Sequence, residues 1–445
     1  MSLGKTNKVP LNGADSMMLA FDHQMRRLGF AGNQAQIMLE LSGRLSESDL
    51  ENRLHEIRAR FSILSAKIKR KIAPVRPCWL LPYGGKTAHP RVRSHKAGDE
   101  KELHRIRCNI LNHPFDIAGG ELVRIDLVHK QGRDTELIMT WSHILMDVTG
   151  AQYLLGIIGQ SIPAENNKYT QAELLSGGYT ERLVKGVKWQ QTKKFFQRVD
   201  ELAEHPPVSL YTRAGKPLAP GFDYRLLSFS PEQTRAIFAL AEKKSGFLNS
   251  SAFYMAAVMG QFHRLLQSRQ IASPGYVVPV SVDLRKKGTH LPVFGNQAAT
   301  LMCGFTPDQL SEFDLILETF KQQTQEAVRR DLIYSNICAM EFACFIPPRL
   351  YAAKMKKAFS GETASFVFAN PGAAPGFLYE FMGHEVKSLH HVPSVVVPPG
   401  MGIVFYIFSG RLHISLVYVD SLLGPDEAEA FLAAVGNNLK AGLLT

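Results

Sequence analysis

Cysteine is scarce in this chain. Cys78, Cys108, Cys303, Cys338 and Cys344 are an odd number of scattered thiols in 445 residues. That excludes a disulfide framework and gives no close metal-ligand spacing. They read as reduced, mostly buried thiols, none in a basic setting convincing enough to make it a nucleophile. Long apolar runs are also absent: none reaches the roughly 20 residues that a membrane-spanning helix needs. Residues 1–10 are polar and basic, without the apolar stretch of a secretion signal, so a cytoplasmic protein is expected. Zinc-finger spacing and RNA-binding aromatic signatures are missing, and the basic residues are dispersed, which argues against nucleic acid.

What is present is globular composition, with 45% hydrophobic and 20% charged residues. The length exceeds one ordinary core and predicts two domains. The net charge is +11, with basic clusters at Lys67, Lys69, Arg70 and Lys71, at Arg91, Arg93 and Lys96, at Lys185, Lys188, Lys193 and Lys194, and at Lys354, Lys356 and Lys357. Together they predict an anionic partner: a phosphorylated cofactor, an acidic carrier protein or a lipid surface. Taken singly, each cluster reads as solvated surface.

The most informative run is Trp141-Ser142-His143-Ile144-Leu145-Met146-Asp147. Residues 136–142 alternate and are bulky, as in a strand, and a helical pattern follows from about Gly150 through Leu154, Leu155 and Ile158. His143 therefore stands where a buried strand gives way to a turn, free to face a cleft from a rigid backbone. Asp147 either caps the following helix or anchors the turn through an ion pair. Trp141 reads as core.

Elsewhere the pattern predicts a short helix within 11–21, a strand at 36–41, and a helix capped by Ser46 carrying Leu50, Leu54, Ile57 and Phe61. Short strands follow at 66–72 and 78–81, then a helix at 103–111 and a hairpin of 122–129 with 136–142. Residues 161–220, with a charged helix from 180 to 202 and several prolines, read as the connection between domains. The second half opens with a strand at 224–229, then a helix capped by Ser230 with Pro231 at its first position, and a more apolar helix capped by Asn249. A strand at 276–282 and a helix at 313–330 come next. Strands at 366–369, 392–397, 403–408 and 412–418 and a helix at 426–439 complete it. His390-His391 reads as incidental. The recurring rhythm predicts two related α/β lobes.

His143 and Asp147 resemble the second His and the Asp of the HHxxxDG motif of the condensation-domain and chloramphenicol-acetyltransferase-like superfamily. Other segments resemble that superfamily in its own order. They are Leu11-Asn12-Gly13-Ala14-Asp15 with Phe21-Asp22, Pro114-Phe115-Asp116 with Leu122-Val123-Arg124, 249–257, Pro279-Val280-Ser281-Val282-Asp283-Leu284-Arg285 with Gly295-Asn296, and 366–372. Two positions depart: Ser142 replaces the first His, and Val148 replaces the Gly, with Gly150 nearby to keep the turn tight. The segment DFGWG of the plant acyltransferase branch is missing.

The resemblance implies an α/β fold of layered α+β type, with two chloramphenicol-acetyltransferase-like lobes in a pseudo-dimeric V and a tunnel at their interface. The expected divisions are 1–180, a connection at 181–222, and 223–445. The implied activity is transfer of an acyl group from a thioester, acyl-CoA or phosphopantetheine-linked acyl carrier protein, to a hydroxyl acceptor. No permanently bound cofactor and no metal are expected. His143 is the implied general base, because an imidazole of ordinary pKa is mostly neutral at pH 7. Asp147 completes the catalytic motif by shaping the turn, paired with Arg285. Ser142, Asn296 and Asn370 are implied oxyanion or substrate-binding donors. The alternatives are an N-acylating condensation enzyme acting on an amine and a non-catalytic carrier-docking domain. A monomer with peripheral membrane contact is also expected.

Overall fold

Two six-stranded sheets carry the fold of this computed structural model. It describes residues 8–69, 75–81, 92–132, 134–160, 185–211, 218–246, 250–286, 288–289, 291–347, 350, 353 and 356–442, with side chains of the helix at 185–203 from 188 onward. The predicted cap Asn249, the basic residues Arg70, Lys71, Arg91 and Lys354, the Lys185 side chain, and much of the predicted connection lie outside these residues.

A small three-stranded sheet joins β1 (Lys8–Pro10), β3 (Lys67–Lys69) and β4 (Cys78–Leu80). The first large sheet is built on β2 (Gln34–Leu41), β5 (Val92–Ala97), β6 (Val123–Lys130) and β7 (Thr135–Ser142). β7 lies between β2 and β6, antiparallel to both, and all eight of its residues are buried. The second large sheet contains β8 (Phe222–Ser228), β9 (Tyr276–Asp283), β10 (Ala298–Phe305), β11 (Val367–Ala373), β14 (Met401–Phe408) and β15 (Arg411–Val419). Two strands of the second half, β12 (Glu380–Phe381) and β13 (His384–Val392), join the first sheet, where β13 pairs antiparallel with β2. Strands from both halves of the sequence thus share the first sheet. The strand expected at 392–397 ends instead at Val392, because Pro393 and the prolines at 398 and 399 lack the N–H that a ladder needs.

Helices begin where their caps dictate. α1 (Gly13–Arg27) carries a capping box, in which the Asn12 side chain accepts from Asp15 N and the Asp15 carboxylate accepts from Asn12 N. It is longer than expected. α2 (Glu47–Arg60) starts at Ser46, as the sequence predicted. α3 (Glu100–Leu111) is capped by Asp99 and buries Leu103, Ile106 and Ile110 at helical spacing. α4 (Val148–Ile158) follows the His143 turn, and α5 (Lys185–Ala203) packs on α9 (Leu332–Ala343). α6 (Pro231–Ser245) has Ser230 and Gln233 as a capping box with Pro231 first. α7 (Ser250–Ser268), α8 (Phe313–Arg329) and α10 (Pro425–Ala441) cover the second sheet, with α7 and α10 packed together.

Two large apolar clusters form the core. One lies around β2, β7, α2 and α4, the other around the second sheet and α7, reaching Met25, Phe30, Met38 and Ile138 of the first half. No helix among the described residues is long and apolar enough to cross a membrane.

Candidate active site

The His143 turn is tied down along its backbone by bonds to several elements. Its N–H donates to Asn33 O at 3.0 Å, Leu145 N donates to Ser142 O at 2.9 Å, and the Trp141 indole donates to Met146 O at 3.0 Å. The turn then meets a segment from the second half: Gly295 N donates to Leu145 O at 2.7 Å, and Met146 bridges Gly295. Because β7 is a central, fully buried strand, the turn inherits a fixed starting point.

His143 itself is half-buried. Its Nδ1 is enclosed, and neither ring nitrogen makes a hydrogen bond of good geometry among the described residues. Burial pushes its pKa below the ordinary histidine value, against opposing contributions from its own backbone, the Asp147 charge and the Asn296 amide. The ring is therefore neutral at pH 7, the form that accepts a proton.

Asp147 performs both of the roles the sequence left open. Its Oδ1 caps α4 by accepting from Gly150 N at 2.9 Å, and takes Arg285 Nη2 at 3.0 Å. Its Oδ2 accepts Arg285 Nη1 at 2.9 Å and Gln297 N at 2.8 Å. With four donors on two oxygens and 7% exposure, this carboxylate has nothing left for a substrate. Arg285 also donates to Pro292 O at 3.0 Å.

Asn296 corrects an expectation. Its two amide hydrogens go to Asp15 Oδ1 and to the His143 carbonyl, both at 2.9 Å, so it is spent as an oxyanion donor and instead steadies the turn. Asn370 stands apart, donating to Ser251 Oγ on α7 at 2.9 Å, and no described contact joins it to His143. The Ser142 hydroxyl is buried and meets no hydrogen-bond partner among the described residues.

The sequence reading overlooked Asp15 and Asn33 as site residues. Asp15 lies beneath Asn296, accepting its backbone N–H at 2.7 Å as well as its amide. Burial raises the Asp15 pKa to about 7, although the donors on both oxygens favour the charged form. The signal was available: Asp15 sits in the quoted N-terminal segment, one capping-box step after Asn12.

Two further expectations are revised. Arg93 is not a free anion binder, because its guanidinium grips the buried Asp126 at 2.7 and 2.8 Å. Cys108, half-buried, has His104 at 3.5 Å, a neighbour one helical turn away that the sequence reading passed over. All five cysteines are free, and the other four are buried.

A two-lobed α/β chain whose His-bearing turn is latched from the other half has the architecture of condensation domains, and comparison with solved structures shows this fold. The first condensation domain of the calcium-dependent antibiotic synthetase, in complex with a substrate analogue, superposes with a TM-score of 0.70 at 16% identity, over 98% of this chain and 96% of that one. The starter condensation domain of rhizomide synthetase, in complex with C8-CoA and Leu-SNAC, gives 0.66 at 13% identity, over 98% and 94%. The condensation domain of the monacolin K polyketide synthase gives 0.64 at 12%, over 98% and 97%. No protein-family model matches the sequence, and no curated protein matches it.

Proposed function

We propose that this chain transfers an acyl group from a thioester to a small nucleophile, with His143 as the general base. The observation that carries the reading is the contrast at the turn. The backbone of His143 is held from both halves, Asp147 is saturated, and neither His143 ring nitrogen makes a hydrogen bond of good geometry among the described residues. A structural histidine has its nitrogens satisfied; this one is positioned and then left free.

The chemistry follows from that. An alcohol holds its proton tightly at neutral pH. As its oxygen bonds to the thioester carbonyl carbon, neutral His143 takes the hydroxyl proton, and Nε2 is the ring nitrogen not sealed by protein. Collapse of the tetrahedral intermediate breaks the C–S bond. The departing thiolate receives the proton back from the imidazolium, leaving ester, free thiol and neutral His143. No covalent enzyme intermediate is needed. General-base assistance of this kind supplies about 10²- to 10⁴-fold. In this reading the acceptor and the thioester meet in a tunnel between the lobes.

A second reading takes an amine as acceptor, giving an amide. It is favoured by the neighbour captured with C8-CoA and Leu-SNAC together. A non-catalytic docking domain is motivated by Ser142 and Val148 in place of the motif His and Gly. One experiment separates the three: incubation with octanoyl-CoA and a panel of alcohols and amines, reading thiol release and product mass. Esters support the leading reading, amides the second, and binding without turnover above the uncatalysed rate the third.

A further inference from the structure

α3 and β8 bring three metal-ligating side chains from opposite halves of the chain to one point. The apolar positions Leu103, Ile106 and Ile110 fix which face of α3 is buried. His104 and Cys108, one turn apart, then share the adjoining face. Asp223, at the start of β8, meets them there. His104 Nε2 lies 2.8 Å from Asp223 Oδ1, and Cys108 Sγ lies 3.5 Å from that nitrogen and 3.4 Å from that oxygen. Three atoms with lone pairs thus converge on one another.

We propose that His104 Nε2, Cys108 Sγ and Asp223 Oδ1 bind a zinc(II)-class divalent cation. The inference is independent of the acyl-transfer reading. A tetrahedral zinc ion, with bonds of about 2.0–2.3 Å, holds its ligands roughly 3.3–3.7 Å apart. The sulfur distances already match, and the His104–Asp223 pair needs only to open slightly around an inserted ion. One nitrogen, one sulfur and one oxygen are a donor set suited to zinc rather than to magnesium or calcium, which take oxygen. His104 keeps 37% of its side chain exposed, which leaves a water a route to the fourth position.

The surroundings fit a second layer. Asp223 Oδ2 accepts the Tyr418 hydroxyl and Arg225 Nη1, both at 3.0 Å, while Oδ1, which faces His104 and Cys108, also accepts the Tyr224 backbone N–H at 2.7 Å and would keep that bond beside an ion. Arg225 Nη1 also stands 3.5 Å from His104 Nε2, and its charge opposes a cation, so the site is a moderate rather than an extreme binder. An ion here would clamp α3 of the first half to β8 of the second.

Cobalt(II) tests this directly as a coloured stand-in for zinc(II). The reduced, chelator-treated full chain should develop a sulfur-to-cobalt charge-transfer band that saturates at a single equivalent. Zinc(II) should bleach the band, and zinc(II) should raise the unfolding temperature. Cys108→Ala should abolish both effects while circular dichroism shows the fold kept, and Asp223→Asn should weaken cobalt binding at least roughly tenfold. A folded wild-type chain with no charge-transfer band, or a band that persists in Cys108→Ala, overturns the proposal.

Discussion

Arg285 and Asp147, 138 residues apart, meet fork to fork, Nη1 on Oδ2 at 2.9 Å and Nη2 on Oδ1 at 3.0 Å, with the guanidinium side chain only 2% exposed. Two parallel bonds fix both distance and orientation. The pair thereby fastens the segment after β9 to the turn that presents His143. Removing Arg285 strands the Asp147 charge in a buried place, and removing Asp147 leaves the buried guanidinium only the looser, half-exposed Asp283 at 3.2 Å. Asp147→Ala or Arg285→Ala is therefore expected to cost about 3–5 kcal/mol, and the double variant less than the sum of the two, measured by urea unfolding. Additive costs would mean that the pair is not coupled.

How much of this was legible beforehand depends on how local the cause is. The strand expected at 136–142, the helix capped by Ser46 and the helix opened by Ser230-Pro231 follow from periodicity and capping within a few residues, and all are present. Arg285 as the partner of Asp147 came from the resemblance, not from spacing. What stayed hidden was set by contacts distant in sequence. β13 looks like any short strand, and nothing in its residues says that it pairs with β2 some 350 positions earlier. Asn296 stood as a donor for substrate through its place in a segment that resembles the superfamily; only the fold reveals Asp15 and the His143 carbonyl as its partners. Likewise Arg124 of the 114–124 segment proves to be a clasp, donating to the carbonyls of His113 and Pro114.

Gly150, not position 148, is where the turn demands a missing side chain. A Cβ at Gly150 would lie 2.1 Å from the Val293 carbonyl oxygen, closer than any real contact. Gly150→Ala is expected to cost at least about 1–3 kcal/mol and to lower activity with it. Val148→Gly, which restores the motif, should cost no more than about 1 kcal/mol, the helix penalty of glycine. Thermal melts of the two variants check the contrast, and equal losses would refute it.

Asn296 is expected to act as a positioning residue. Asn296→Ala leaves the buried Asp15 without its amide donor and frees the His143 carbonyl, so the maximal rate should fall by roughly tenfold or more while KM changes little. Asn296→Asp should be worse than Ala, because it sets a second carboxylate against Asp15 and cannot donate. A purely structural role would instead lower the amount of folded protein without splitting the two kinetic constants.

His143→Ala should remove about 10²- to 10⁴-fold of acyl transfer without shifting the unfolding temperature appreciably. The pH profile carries a sign. The neutral ring is the active form, and its pKa lies below the ordinary value. The rate should therefore stay level from pH 7 down past 6.5, then fall tenfold per unit once pH drops below the lowered pKa. That acid limb should vanish in the residual activity of His143→Ala. A limb centred above 6.5 would show that the ring is not the base of lowered pKa described here.

Acid stability offers a separate test at the seam between the sheets. His390 and His391 on β13 crowd Tyr406 and His413 on β14 and β15, with His390 bonded to the Tyr406 hydroxyl at 2.8 Å and the His413 ring stacked on Tyr406. Burial holds His390 and His391 down to about 3 and His413 to about 4. The unfolded chain takes these protons near pH 6.5. Between about 6.5 and 4 it binds more protons than the native state, so stability falls as pH falls, by up to about 1.4 kcal/mol per pH unit for each imidazole. Asp15, raised to about 7, contributes the opposite slope over much of that range. Carboxylates held low, such as Glu40, act only nearer and below their own ordinary range. The informative quantity is thus a difference, in which Asp15 cancels. Urea unfolding of wild type and His413→Gln between pH 6.5 and 4.5 should give a shallower acid loss in the variant by about one proton's worth. Parallel curves would mean that His413 titrates in the folded protein as it does in the unfolded chain, and that the seam is wetter than its geometry implies.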